Sequence, residues 1–165
     1  MWLPVGNSFA HNETIKNISA GKYHNIRLMA GNSGKCPGQG KDPTTGVDSC
    51  AWMTAPQAAI TPAAHGRGAA PVPPLFNFGA ACWYFAARLS DELEAAGKLV
   101  PIGVTDTAIG GQRIEEYMVN DTTLTSCSDR TGTASPEWNG RLYGKQTLPF
   151  VDSTIKGWLW YRESE

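Results

Sequence analysis

The sequence predicts an α/β fold in which a parallel sheet is flanked by helices, and three features predict it. Apolar runs at 25–30, 100–107 and 155–161 are largely continuous rather than alternating, as strands covered on both faces require. Between the first two lies a stretch with helical periodicity, 75–97. The order strand, helix, strand, helix favours parallel neighbours joined by crossovers, with functional groups collecting at the carboxyl ends of the strands.

Residues 3–20 hold turn formers and two Asn-x-Ser/Thr sequons, at Asn12 and Asn17; a third starts at Asn120. Residues 25–30 read as a short strand. From 31 to 74 the chain is dense in Gly, Pro, Ser, Thr and Ala, which predicts a long binding loop, an insertion or a mobile segment. In the helix over 75–97, Phe78, Cys82, Phe85, Leu89 and Leu93 recur at helical spacing and predict the core face. Ser90, Asp91 and Glu92 lie on the other side, and Gly97 is the stop signal. Cys82 among Ala81, Trp83 and Phe85 reads as a buried small hydrophobe.

At 165 residues and 41% hydrophobic content the chain is long enough for one domain with its own core. A net charge of −1, from 14 basic and 15 acidic residues, gives no electrostatic footprint for nucleic acid or an anionic membrane. No apolar run approaches a membrane span. Four cysteines are compatible with two disulfides, Cys36 to Cys50 being the first pairing to test, and no Cys-x-x-Cys or His-x-x-x-His spacing points to a metal.

The chemistry concentrates after the strand at 100–107, where Gly110 and Gly111 lead into Ile114, Glu115, Glu116 and Tyr117. Glycines at a strand-to-helix corner accept positive φ, and without a Cβ they let a substrate oxygen reach main-chain N–H groups. The residues alone leave two readings open: a plain chain reversal, or a corner that binds a developing oxyanion. Glu115 is expected to serve the positive end of the following helix.

Four blocks, in order, resemble the sialate O-acetylesterase family of SGNH-type esterases. Pro101-Ile102-Gly103 followed by Gly110-Gly111, Ile114-Glu115 and Tyr117 aligns without a gap with P-I-G-L-I-x-x-x-x-G-G-T-x-I-E-A-W. Residues 78–88 resemble the F-S-A-x-x-x-x-F-A-R helix, 142–150 resemble L-Y-N-x-M-I-x-P-L, and 155–161 resemble I-K-G-V-I-W-Y-Q-G-E. Ala51 and Trp52 fit that family's Trp-bearing strand. The resemblance implies an SGNH or flavodoxin-like three-layer sandwich, present here as a single partial domain. It assigns the Gly110 and Gly111 amides to the oxyanion hole.

Two departures accompany the match. Gly144 stands where the family has asparagine. Arg162 stands at the family glutamine, and Glu163 either replaces the following glycine or, with that glycine lost, is the family glutamate and an active-site carboxylate. The second alignment keeps Glu163-Ser164 in phase. Ser164 itself has neither an elbow nor a partner histidine. The family's serine lies in G-Q-S-N-M, whose methionine aligns with Met1, and its histidine in a later Asp-x-x-His. Both are therefore expected outside residues 1–165, which would then be inactive and, with a central strand missing, would fold poorly alone.

These readings converge on an esterase that removes O-acetyl groups from carbohydrate without metal or cofactor, in a secreted or lysosomal setting to which the sequons would suit it. Two alternatives stand beside it: a non-catalytic carbohydrate-binding protein or pseudoenzyme, and an acetylxylan-type esterase.

Overall fold

The computed structural model describes residues 3–30, 52–60, 72–109, 111–119 and 139–160. Its centre is β1 (Ile26–Ala30), paired in parallel with β3 (Ile102–Asp106) over the register Ile26 to Ile102 through Ala30 to Asp106. On the other side of β1 lies β2 (Met53–Thr54), antiparallel, with Leu28 opposite Met53. The sheet order is β2-β1-β3, so the architecture is α/β with a small mixed sheet, not the wholly parallel one expected. The chain reverses at β2 because Thr54 turns directly into α2 (Ala55–Ile60): Gln57 N–H donates to Thr54 Oγ1 at 3.2 Å, and Gln57 Oε1 accepts Thr54 N–H at 2.9 Å.

This element pair falls inside the predicted loop 31–74, which is therefore not one continuous loop; Cys36 and Cys50 lie outside the described residues.

The helix α3 (Ala80–Ala95) covers the sheet and is shorter than the predicted 75–97, because Pro74–Asn77 form a separate 3-10 turn. Its buried face is Ala80, Trp83, Ala86, Ala87 and Ser90; Phe85 is 48% exposed and Leu89 36%. The predicted stripe is thus rotated. Phe78 is buried and Cys82 and Leu93 touch the core, but small residues let the helix approach the strands closely, with Trp83 filling the space beyond them. Gly97 ends the helix as its position predicts: at φ +66 its N–H donates to Glu94 O, and Lys98 N–H donates to Leu93 O.

Before β1, residues read as turn formers make a helix, α1 (His11–Ser19), with Thr14 and Ile18 buried. Asn12 and Asn17 both lie within it, Asn12 exposed and Asn17 half-buried. Tertiary packing overrides weak propensity here: Ser8 Oγ lies 2.6 Å from Tyr84 Oη, and Thr14 Oγ1 donates to the same oxygen at 3.4 Å. Gly6 admits this close approach of the N-terminal segment, since a Cβ there would stand 2.2 Å from the Phe76 ring. The main core gathers Val5, Ile18, Ile26, Leu28, Phe78, Trp83 and Ile102, while Met29 packs on the other face beside Phe150.

The predicted strand at 155–161 does not form over its described part. Residues 151–160 join no ladder and are exposed, with Ile155, Trp158, Leu159 and Trp160 between 43% and 57% accessible. Ring contacts hold the segment instead: Trp158 against Phe150 at 6.2 Å and Trp160 against Tyr117 at 5.3 Å. No helix among the described residues is long and apolar enough to cross a membrane.

Candidate functional site

The carboxyl end of β3 is where the sequence concentrates its chemistry. Asp106, the last strand residue, is only 5% exposed. Its Oδ2 accepts Gly79 N–H at 2.7 Å at the start of α3, and its Oδ1 accepts Ala108 N–H at 3.0 Å. A carboxylate at a helix N-terminus meets the positive end of the dipole, so one side chain fixes both the strand end and the helix start. Gly79 has to be glycine for this contact, because a Cβ would sit 2.7 Å from Asp106 Oδ2.

The next amide is also taken. Ile109 N–H donates to Tyr117 Oη at 3.0 Å, and that hydroxyl donates to Thr107 O at 3.4 Å. Tyr117 is 7% exposed. Burial pushes its hydroxyl pKa up, the nearby Glu116 and Asp106 charges push the same way, and the Ile109 N–H pulls it back. Gly111 then stands at φ +76, in the left-handed region predicted for the corner. It is exposed, with nothing within 4 Å of where a Cβ would point, and no acceptor among the described residues takes its N–H. Gly110 lies outside the described residues.

Beyond the glycines the chain makes one 3-10 turn, Ile114–Glu116, rather than a longer helix. The carboxylate that serves it is Glu116, not Glu115. Glu116 is fully buried, and its Oε1 accepts Arg113 N–H at 3.2 Å. Its Oε2 accepts Arg141 Nε at 2.9 Å and Arg141 Nη2 at 2.6 Å, and Arg141 Nη2 also donates to Gln112 Oε1. Backbone bonds complete the clamp: Gly140 N–H to Glu115 O and Leu142 N–H to Glu116 O. A π turn, Tyr143–Thr147, follows, and Thr147 Oγ1 donates to Tyr117 O at 2.7 Å.

Other expected residues fall as follows. Gly144 is exposed in the π turn, with open space where a Cβ would project. Arg162, Glu163 and Asn120 lie outside the described residues, as does His65. His11 stacks edge-on against Phe76 and His24 bonds Gly21 O in the turn before β1, so neither joins the corner. Cys82 Sγ is 3.8 Å from Thr105 O, and burial, then the Asp106 charge, push its thiol up to about 12. A thiol so placed is protonated at neutral pH and is no nucleophile. No group of three or more His, Cys, Asp or Glu side chains among the described residues is placed to hold a metal.

Asp106, Glu116, Arg141 and Gln146 were not singled out from sequence. Asp106 had a readable signal, a lone carboxylate closing an apolar strand; the Glu116 to Arg141 pair spans 25 positions and had none. No protein-family model, curated protein or solved structure matches this chain.

Proposed function

We propose that this corner is the oxyanion-binding part of a carboxylic ester hydrolase of the sialate O-acetylesterase kind, within an SGNH-type layered domain, acting on O-acetylated carbohydrate outside the cytoplasm. One observation supports it above the others. Ala108 and Ile109 N–H are committed to Asp106 and Tyr117, while the N–H of the exposed Gly111, just beyond the carboxyl end of a parallel strand, has no acceptor among the described residues. That geometry rigidifies the loop and leaves a main-chain donor for a ligand.

In the reaction, a serine hydroxyl passes its proton to a histidine as its oxygen attacks the acetyl carbon, and the carbonyl π electrons move onto the carbonyl oxygen. The Gly110 and Gly111 amides would donate to that oxyanion. Its collapse expels the sugar oxygen, which takes the proton from a histidine, and water then releases acetate from the acyl-serine. Residues 1–165 contain neither the G-Q-S-N-M nor the Asp-x-x-His block, so by this reading they alone show no serine-dependent turnover.

The test has two arms. The coding sequence flanking both ends should encode those blocks, and the resulting longer protein should hydrolyse p-nitrophenyl acetate. Gly111→Ala, strained at φ +76, should lower its kcat/KM about 10²-fold by misplacing the donor. Flanks without the blocks, or activity indifferent to Gly111→Ala, would overturn the proposal. The non-catalytic carbohydrate-binding reading gains from the bare position 144, and it requires acetylated-sugar binding without turnover.

A further inference from the structure

Gln146 is 2% exposed, and its Nε2 is buried with no hydrogen-bond acceptor among the described residues. A buried carboxamide donor left unmet gives up its bond to water and gains none in return, so such groups are rare in folded proteins and call for a reason. The backbone around it is not loose: Gln146 N–H donates to Leu142 O at 2.8 Å, and Thr147, next in sequence, bonds the carbonyl of Tyr117. Tyr117 in turn holds Ile109 N–H, two residues before Gly111. The unmet donor therefore sits on a turn fastened to the same tyrosine that shapes the glycine corner. Beside that tyrosine lies the Trp160 ring, which is 43% exposed.

We infer that the Gln146 carboxamide is a ligand-binding group of this site, donating to an acceptor oxygen of the ester or of the carboxylate product. The inference rests on the reading of the corner proposed above. In the free protein the side chain is held as an unmet donor; in the complex it gains a partner. Position 144, bare and exposed, contributes no carboxamide, so Gln146 is the one on this turn that can.

The experiment is a titration of ¹⁵N-labelled protein with sodium acetate, matched against sodium chloride, following the Gly111 amide and the Gln146 side-chain NH₂ pair. Both should shift with one common dissociation constant. Gln146→Met should raise Tm, by removing an unmet buried donor at nearly constant volume, and weaken acetate binding about tenfold. A Gly111 shift without a Gln146 shift overturns the role of Gln146 and leaves the corner standing. Silence at both overturns the corner reading as well. A Gln146→Met protein less stable than the parent, with its acetate affinity unchanged, means the carboxamide serves the fold through a buried water, and that too defeats the inference.

Discussion

The two ends of the β1–β3 pair are finished in different ways. At the amino end a single asparagine closes everything: Asn25 Nδ2 donates to Val100 O at 2.9 Å, its Oδ1 accepts Ser90 Oγ–H at 2.9 Å from α3, and its carbonyl accepts Ile102 N–H at 3.0 Å. At the carboxyl end Asp106 makes the equivalent tie to α3, but the chain continues to an exposed glycine, Gly111, whose N–H has no acceptor among the described residues. The first end is a satisfied joint. The second is tied by side chains up to Ile109, and the proposed site begins where those ties stop.

The largest effect should come from breaking the clamp behind the open end. Arg141→Met strands the fully buried Glu116 carboxylate and should cost about 3 kcal/mol in urea denaturation, with Gly111 resonances broadened. Next is the closed end. Asn25→Leu leaves Ser90 Oγ and Val100 O without their partner and should cost about 2 kcal/mol, while the response of Gly111 to acetate stays unchanged. If Asn25→Leu alters that response, the two ends are not independent.

Alkaline pH sharpens the same contrast. Cys82, under the carboxyl end, has its folded-state pKa raised from 9.0 to about 12, so the folded protein retains a proton that the unfolded chain releases. Its stabilising effect is complete below pH 9 and is lost as pH rises from about 9 to about 12. Tyr23 and Tyr117, also raised, act with the same sign above pH 10. Cys82→Ala should flatten the alkaline limb of the stability profile. The smallest effect is expected at Gly144→Asn, which meets open space and should change stability by less than about 0.5 kcal/mol.

What the sequence revealed follows the same division. Strands β1 and β3 were readable because apolar continuity encodes burial, and Gly97 and Gly111 because only glycine takes positive φ without strain. The buried face of α3 is rotated from the one its helical spacing predicts: Phe85 and Leu89 face out, whereas close packing places Ala80, Trp83, Ala86 and Ala87 on the sheet. Residues 155–160 have strand-like composition but no ladder to join, since pairing is decided by neighbours. The antiparallel β2 and the helical α1 are tertiary choices of the same sort. Within the site, the glycine was legible; the Asp106, Tyr117 and Glu116–Arg141 ties were not, because each joins residues whose proximity only the folded chain creates.

Amide hydrogen exchange across 106–111, with and without acetate, tests the central claim most directly. Ala108 and Ile109 should exchange slowly in both conditions, and Gly111 should exchange fast alone and slow when acetate is present. A Gly111 amide already protected without ligand would show its N–H satisfied by the protein itself, and the open corner would not exist.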